Sequence, residues 1–400
     1  MNTLTLAGPQ AASPPAPAKG DGRFFADPVF HFQTIRALME INTGGADTGE
    51  VLAAIARIID GDVQSWYAEW AALADRVQVR ADKAINTLSK GGALMRVHNY
   101  RRTAEFLLPP DDPKRPGSWV KCLAAFYKGL DVLGVAHERI SIPYQGANLR
   151  AIYFPGAPGA EKKPLVMLVG GFDSILEELY PMLGKAALDR GYSLLMYEGP
   201  GQGQALRDGL RFTPEWEKPT GAVLDAFLAT HAKPTGIVLI GMSMGGYFAP
   251  RAAAFEPRID GVVSWDVCFD YQACAKYTLA AAARRSGPAS VGAVWGTANA
   301  LWTMGASSAE EALAMMTPYT LAPVAARIRQ PVLMLVGEDD QFIPLRQAAQ
   351  FEAALVNAAS VTKCVFDRIS GGSEHCQAGC ASLVDTAVYD WIESTFPTAA

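Results

Sequence analysis

A serine between small residues marks the segment IVLIGMSMGGYFAPRAAAF. Ser243 stands in the spacing G-x-S-x-G, between Gly241 and Gly245, after an apolar run and before a helix-forming segment. A strand–turn–helix context with this spacing exposes a serine as a nucleophile, because only small neighbours fit the tight turn. Taken alone the spacing arises by chance, so a glycine-rich turn without chemistry is the alternative interpretation.

The residues that would activate this serine occur later in the chain and in the expected order. A nucleophilic serine needs a base and an acid that orients it, and with this motif the order is Ser, then Asp or Glu, then His. The run PVLMLVGEDDQFIP supplies Asp340 as first choice and Asp339 as second. Of the five histidines only His375, in SGGSEHCQAGC, lies downstream of that acid. The sequence therefore predicts a triad of Ser243, Asp340 and His375.

Two backbone N–H groups are the predicted oxyanion hole. One belongs to the residue after the nucleophile and the other to the loop after an early strand. These are Met244 and, in LVGGFDS, Phe172. The glycines at 170 and 171 would let the backbone approach the substrate, while a simple turn is the alternative use of this glycine pair.

The elements that must position these groups follow from the apolar patterning after His137. The stretch RISIPYQGANLRAIYFPG alternates like a β-hairpin. Five short apolar runs follow, each ending in turn residues and leading into a helical stretch: PLVMLVGG, SLLMYEGPG, GIVLIGMS, GVVSWD and PVLMLVGED. This pattern predicts an α/β protein with a mainly parallel sheet covered on both faces. Active sites in such sheets lie at the carboxyl ends of the strands.

Composition and hydrophobic periodicity along the chain also predict its domain organisation. Residues 1–23 are rich in Ala and Pro and predict a disordered tail. Residues 24–136 have helical periodicity and predict a helical domain, which the resemblance described below identifies as a cap domain. Residues 137–400 form the predicted catalytic domain, with a helical insertion at about 270–328 whose aromatic and Met-rich surface either packs or lines a substrate pocket. Within the cap, Gly91–Gly92 predicts a break between two helices.

Composition excludes several classes of function. The 400 residues carry a net charge of −5, which favours neither nucleic acid nor an anionic membrane surface as partner. We expect no membrane span, no signal peptide and, from six scattered cysteines, a cytoplasmic protein with reduced thiols. Cys376 and Cys380 lack a second ligand pair, and no dinucleotide or Walker loop occurs, so neither a metal nor a cofactor is expected.

Several motifs together resemble one group of enzymes over nearly the whole chain after the tail. YRRTAEFLLPPDDP, GGFDSILEELY, YEGPGQGQ, GMSMGGYFAPRAAAFEPRI and SEHCQAG are similar to the dihydroxypseudooxynicotine hydrolase group of α/β-hydrolases and to fungal heptaketide hydrolases. The resemblance implies an α/β-hydrolase fold, a cap domain and a homodimer. It also implies hydrolysis of a carbon–carbon bond beside a ketone, with the catalytic roles on Ser243, Asp340 and His375.

Cleavage of a carbon–carbon bond makes an extra chemical demand on the site. It expels a carbanion, which is feasible only when the charge is delocalised and the carbon can be protonated. Candidate groups that could help or contact the substrate are Glu177, Glu178, Glu198, Asp266 and Tyr247. The first two stand at a predicted helix start, where carboxylates are common for dipole reasons alone, and Tyr247 could simply pack the helix after Ser243.

The expected substrate is a small β-diketone or acyl-aromatic molecule. A carboxylesterase or lactonase with the same triad is the alternative, because a triad does not reveal its leaving group. An acyl transferase or a peptidase fits less well, since the small cap offers little room for long peptides. A non-enzymatic binding protein is disfavoured by the complete set of triad residues.

Overall fold

An eight-stranded sheet lies at the centre of the computed structural model, which describes residues 22–284 and 290–397. Residues 1–21 of the predicted disordered tail lie outside this range. The predicted hairpin is present as the first two strands. In chain order the strands are β1 Glu138–Tyr144, β2 Ala147–Phe154, β3 Leu165–Val169, β4 Leu194–Tyr197, β5 Ile237–Met242, β6 Gly261–Trp265, β7 Val332–Gly337 and β8 Val361–Phe366.

The strand order brings the carboxyl ends of four strands side by side. The order is β1-β2-β4-β3-β5-β6-β7-β8; β1–β2 and β2–β4 are antiparallel, and all other pairs are parallel. Val169 is in register with Gly241, Met242 with Trp265, and Trp265 with Leu335. Residues that directly follow β3, β5, β6 and β7 therefore meet at one edge of the sheet.

Both faces of the sheet are covered, as the continuous apolar runs predict. Along β3, Leu165, Met167 and Val169 belong to one buried cluster, while Val166 and Leu168 belong to another on the opposite face. Side chains alternate between the faces of a strand, so a strand buried on both faces must be apolar at every position. The prediction of a mainly parallel sheet with helices on both faces is confirmed.

Helices precede, connect and extend the sheet. The N-terminal helices form their own buried cluster around Trp66, Trp70 and Tyr100. The α-helices are α1 Pro28–Met39, α2 Thr48–Ile55, α3 Val63–Lys83, α4 Thr87–Phe106, α5 Arg115–Leu133, α6 Lys185–Asp189, α7 Gly203–Arg207, α8 Glu217–Leu228, α9 Gly245–Ala253, α10 Tyr271–Ala283, α11 Val291–Met304, α12 Ala309–Met315, α13 Arg346–Ala354 and α14 Ala381–Thr395.

The predicted break at Gly91–Gly92 is wrong. Helix α4 runs through both glycines without interruption. The reason is close packing against α5, since a Cβ on Gly91 would lie 2.4 Å from the Leu133 side chain. A Cβ on Gly129 of α5 would lie 3.3 Å from the Met95 sulfur in the same contact. The glycine there permits helix approach, and the packing offsets its cost of about 1 kcal/mol in helix propensity.

Helices α10, α11 and α12 lie between β6 and β7, in the segment predicted as a helical insertion. The boundaries of the tail, cap and catalytic domains stay a prediction. All six cysteines lie in the described part of the chain and are free thiols. None of the helices described is both long enough and apolar enough to cross a membrane.

Candidate active site

Ser243 stands on the turn between β5 and α9 with a positive φ of 61°. Such a φ is uncommon for a residue with a side chain and is found at functional sites that hold backbone strain. The neighbouring glycines are required by close contacts. A Cβ on Gly241 would lie 1.9 Å from the carbonyl oxygen of Gly245, and one on Gly246 would lie 1.7 Å from that of Asp266. The sequence spacing therefore reflects a turn that only small residues can form.

Ser243, His375 and Asp340 form a continuous chain of hydrogen bonds, which we term the hydrogen-bonded triplet. The Ser243 Oγ lies 2.9 Å from Nε2 of His375, and Nδ1 of that ring lies 2.7 Å from Oδ2 of Asp340. The other oxygen of Asp340 accepts the N–H groups of Phe342 at 2.7 Å and Ile343 at 2.8 Å. The carboxylate is thus fixed by its own turn, with one oxygen left for the imidazole.

Asp339, the second choice for the acid, points elsewhere. Its carboxylate accepts hydrogen bonds from Arg368 at 2.5 and 2.8 Å, and the Arg368 side chain is largely exposed. Strand β7 and its turn therefore direct the first of these two neighbouring aspartates to the surface and Asp340 to the imidazole.

A second carboxylate also contacts the imidazole. Asp266, which follows β6, lies with Oδ2 at 2.9 Å from Nδ1 of His375. The same oxygen accepts the N–H of Cys376 at 2.5 Å, and Gln377 approaches the other oxygen at 3.5 Å. Of the predicted helper residues, Asp266 is the one that the structure joins directly to the triplet.

The electrostatics of this cluster follow from burial and from charge neighbours. Burial, opposed in part by the hydrogen-bonded imidazole, raises the pKa of Asp340 to about 6. Burial alone would lower the pKa of His375, but Asp340, Cys376 and Asp266 outweigh it and raise that pKa well above its ordinary value. Burial raises the pKa of Asp266, yet the imidazole and the Cys376 N–H outweigh it, so the net direction is downward. The carboxylates therefore stabilise the protonated form of the imidazole.

Two N–H groups beside Ser243 remain available. The N–H groups of Phe172 and Met244 donate no hydrogen bond to any residue that the structure describes. Gly171 brings them together, since a Cβ there would lie 2.8 Å from the Met244 nitrogen and from the Ser243 Cβ. The predicted oxyanion pair is thus adjacent to the serine, and the glycine pair is a close approach rather than a simple turn.

The loop that carries Phe172 is held by side chains. The Gln202 amide donates to the carbonyl oxygens of Gly170 and Gly171, at 2.8 and 2.9 Å. Ser174 Oγ accepts the N–H of Gly171 at 2.9 Å, and Asn299 donates to the Phe172 carbonyl oxygen at 3.4 Å. These bonds fix the loop while leaving the Phe172 N–H unused, which is the arrangement that a preorganised oxyanion hole requires.

Glu177 and Glu198 lie in a separate buried network. Arg150 pairs with Glu177 at 2.8 Å and with both oxygens of Glu198 at 2.7 and 2.9 Å. The Tyr127 hydroxyl donates to Glu177 at 2.8 Å. Two of the predicted helper carboxylates therefore share one guanidinium as their ion-pair partner.

Glu178 and Tyr247 have structural partners too. Glu178 receives hydrogen bonds from Arg36 of α1 and Arg102 of α4, both at 3.0 Å. The Tyr247 hydroxyl donates to the Pro214 carbonyl oxygen at 2.7 Å. Among the described residues, neither these two side chains nor the Arg150-linked glutamates make a hydrogen bond to the triplet.

Aromatic side chains lie beside the His375 imidazole and around Phe172. Phe342 and Phe32 lie 5.0 and 6.4 Å from the His375 ring, centroid to centroid. Phe172 lies 6.1 Å from both Tyr271 and Trp295. Tyr271 and Trp295 belong to the aromatic set that the sequence placed in the insertion. Phe32 and Phe342 were missed, because only the packing of α1 and of the turn after β7 reveals their position.

One group of potential metal ligands exists in the described part of the chain. Ligand atoms of Asp266, His375 and Cys376 lie within 4.8 Å of one another. Cys380, the second cysteine of the spacing considered in the sequence, is not part of this group. Asp266 lies 2.9 Å from the His375 imidazole, and that imidazole is already hydrogen-bonded within the triplet, so these contacts are those of an acid–base site.

Comparisons with known proteins agree with this geometry. Residues 165–371 match the model of the Alpha/beta hydrolase family. Hydrolase LUC6 of Fusarium sp is 31% identical over 94% of this chain and 98% of its own. The chain belongs to the alpha/beta hydrolase family. Hydrolase acrC of Aspergillus aculeatus is 41% identical over a shorter match, which spans 62% of this chain and 64% of acrC.

A solved structure extends the likeness in fold to nearly the whole chain. The crystal structure of 2,6-dihydroxy-pseudo-oxynicotine hydrolase superposes with a TM-score of 0.71 over 91% of this chain and 97% of its own, at 23% identity. The resemblance predicted from the sequence motifs, the alpha/beta hydrolase fold with an N-terminal helical region and the assignment as a hydrolase are all confirmed.

Proposed function

We propose that this hydrolase uses Ser243 as nucleophile, His375 as general base and Asp340 as the acid that orients the imidazole. One observation carries the proposal, namely the unbroken hydrogen-bonded triplet, with 2.9 Å from serine to imidazole and 2.7 Å from imidazole to carboxylate. These distances allow proton transfer. The unused N–H groups of Phe172 and Met244 support it, because they can receive the negative charge of a carbonyl oxygen under attack.

The proposed reaction uses one proton twice. His375 removes the Ser243 proton as Oγ attacks a substrate carbonyl, and the two amides hold the resulting O⁻. When this intermediate collapses, the bond to the leaving group breaks and the imidazolium returns its proton to that group. Water, deprotonated by the same imidazole, then attacks the acyl-enzyme and releases a carboxylic acid.

The proposed substrate is a β-diketone or an acyl-aromatic small molecule, cleaved at the carbon–carbon bond beside the ketone. The leaving carbanion would depart as a delocalised enolate, protonated on carbon by His375. The aromatic side chains of Phe32, Phe342, Phe172 and Trp295 support a flat, conjugated substrate, since aromatic rings stack favourably. The fold shared with 2,6-dihydroxy-pseudo-oxynicotine hydrolase supports the same class.

Ester or lactone hydrolysis is the second candidate, and one observation favours it. Among the described residues, His375 is the only titratable side chain that contacts Ser243 by a hydrogen bond, and Glu177, Glu178 and Glu198 are held by arginines. An alkoxide leaving group needs only that one proton donor, whereas a carbanion gains more from a further acid.

The decisive experiment joins active-site labelling to a matched pair of substrates. A fluorophosphonate should modify Ser243 and no other serine, as read by peptide mass, and Ser243→Ala should abolish the adduct. Ser141→Ala, on the exposed face of β1, is the matched control. A β-diketone and an ester with the same acyl group then compete. Faster cleavage of the diketone supports the first function, and exclusive cleavage of the ester supports the second. Labelling that survives Ser243→Ala would refute the nucleophile.

A small-molecule substrate, a homodimer and a cytoplasmic location complete the proposal. Light scattering of the purified protein tests the dimer, with a monomer mass as the contradicting result.

A further inference from the structure

The imidazole of His375 has more acceptors than it needs. Nδ1 can carry one hydrogen, yet two carboxylate oxygens lie within hydrogen-bond distance of it, Asp340 Oδ2 at 2.7 Å and Asp266 Oδ2 at 2.9 Å. They come from different strands, since Asp340 follows β7 and Asp266 follows β6. One acid would be enough to orient the ring, so the second requires an explanation.

Asp266 is held in this position by the fold. Its side chain is 1% exposed and its φ is +59°, in the left-handed region that disfavours residues with side chains. Gly246 allows its backbone to approach α9, because any Cβ there would meet the Asp266 carbonyl oxygen. The Cys376 N–H then fixes the carboxylate at 2.5 Å. A strained, buried carboxylate with this many constraints is a built feature of the site.

The two aspartates share a single cationic partner. Neither forms an ion pair with a lysine or arginine in the part of the chain that the structure describes, and His375 pairs with both. Besides burial, the negative charge of Asp266 also acts on Asp340 and raises the pKa of that carboxyl. Adjacent carboxylates resist simultaneous ionisation. The two carboxylates and the imidazole therefore titrate as one coupled group.

We propose that Asp266 is a second positioning residue of the site, which forms with Asp340 a carboxylate pair on Nδ1 of His375. Either member can accept the Nδ1 hydrogen and keep Nε2 directed at Ser243. This inference rests on the proposed function, because it assigns a role to the imidazole that activates the serine. In the pair, loss of one acid leaves the ring oriented by the other.

The pair makes a distinct prediction about single and double substitutions. Asp340→Asn removes one carboxylate, but Asp266 Oδ2, 2.9 Å from Nδ1, can then accept its hydrogen, so the rate should fall by no more than about 10²-fold. A triad with a single acid loses about 10⁴-fold on the same change, because the imidazole takes the wrong tautomer. The double substitution Asp266→Asn with Asp340→Asn should show that full loss.

The pair also makes a prediction about pH. The charged and titratable groups around His375 are Asp340, Asp266, Cys376 on its own loop and, from the loop after β3, Asp173, which is paired with Arg36. Asp266→Asn removes one negative charge that stabilises the imidazolium. The pKa of His375 should then fall, and the acidic limb of the rate, which requires neutral imidazole, should move to lower pH.

The experiment measures the rate of Ser243 labelling by a small fluorophosphonate as a function of pH, in wild type and in the three variants. This readout needs no identified substrate. We expect modest losses for each single variant, a far larger loss for the double variant, and an acidic limb displaced to lower pH in Asp266→Asn. Circular dichroism and thermal unfolding check that each variant is folded.

The outcomes separate the two proposals. If wild type does not label at Ser243, the serine-hydrolase proposal fails before the pair is tested. If wild type labels but Asp340→Asn alone loses about 10⁴-fold, and Asp266→Asn keeps the wild-type rate and acidic limb, the pair is overturned and the triad stands. If Asp266→Asn does not fold, the loss of labelling rate in Asp340→Asn decides between the pair, with about 10²-fold or less, and a single acid, with about 10⁴-fold.

Discussion

Two groups of buried carboxylates have different cationic partners. Glu177 and Glu198 share the guanidinium of Arg150. Asp266 and Asp340 share only the imidazole of His375. All four carboxylates are at most 4% exposed, so burial does not distinguish the groups. The distinction lies in the cation.

The choice of cation decides what each group can do. A guanidinium stays protonated at every physiological pH, so it remains paired with its carboxylates and fixes the elements that carry them. An imidazole can gain and lose its proton near neutrality. Carboxylates held only by an imidazole can therefore take part in proton transfer. Their positive partner is present only while the imidazole is protonated. The first group connects β2, β4 and the turn after β3, and the second contacts the imidazole that is hydrogen-bonded to Ser243.

Replacement of His375 by Gln should have the largest effect on activity. The amide can occupy the place of the imidazole but cannot take the serine proton, and loss of the base in a comparable triad costs about 10⁶-fold in kcat. The melting temperature should fall as well, because Asp266 and Asp340 are left buried without the imidazole, so turnover is compared per folded molecule. Steady-state kinetics and thermal unfolding measure the two quantities.

His231→Gln is the matched control for this prediction. His231 stacks on Phe227 and pairs with Glu138, away from the triplet. It should retain wild-type turnover. A His375→Gln variant with activity within tenfold of wild type would mean that the imidazole–carboxylate cluster is structural after all.

Replacement of Arg150 by Met should have the largest effect on stability. It leaves Glu177 and Glu198 buried without their cation, and breaking a buried pair in this way costs about 3–5 kcal/mol. Urea unfolding measures this loss. Turnover per folded molecule should fall far less than in His375→Gln, because Arg150 makes no hydrogen bond to the triplet.

Two controls sharpen the Arg150 result. Arg57→Met breaks the half-exposed pair with Glu69, and such surface pairs contribute only about 0–1 kcal/mol. Adding Glu177→Gln and Glu198→Gln to Arg150→Met should restore part of the stability, since no buried charge is then left unpaired. A loss of turnover with no change in the urea midpoint would instead assign the arginine group to catalysis.

The sequence predicted those features of the site that depend on local patterns. Apolar runs and their order along the chain predicted the sheet. The residues after each run were candidate site residues, because the carboxyl ends of parallel strands lie at the same edge of the sheet. Ser243, Asp340 and His375 are recognisable on those terms. The contact between Asp266 and His375 was not predictable, because it depends on the register of β6 against β7 and on two loops that no spacing rule relates.

Two other features show the same limit. Gly91–Gly92 resembles a helix break in the sequence, but Gly91 instead provides room for Leu133 of the neighbouring helix. Phe32 approaches the His375 ring from α1, far upstream in the chain. Patterns report the conformation of a segment and the direction of its apolar face. They do not report which distant segment will occupy the space beside it.

Asp385 offers the smallest test. It is a half-buried carboxylate, and no arginine or histidine in the described part of the chain makes a hydrogen bond to it. Burial raises its pKa to about 6, Arg190 lowers that pKa in part, and its Oδ1 has no hydrogen bond among the described residues. An unfolded Asp has a pKa near 3.9. As pH rises between about 3.9 and 6, the unfolded chain releases this proton while the folded protein keeps it, so stability falls.

Asp385→Asn removes that ionisation. It should stabilise the protein above about pH 6, by less than about 1 kcal/mol because the carboxyl is partly exposed and screened. Below about pH 3.9 the neutral acid and the amide should be equivalent. Thermal unfolding at a pH above and a pH below this window measures both values. A variant that is less stable at the higher pH would show that Arg190 already compensates the charge, and Asp385 would then join the arginine-held carboxylates.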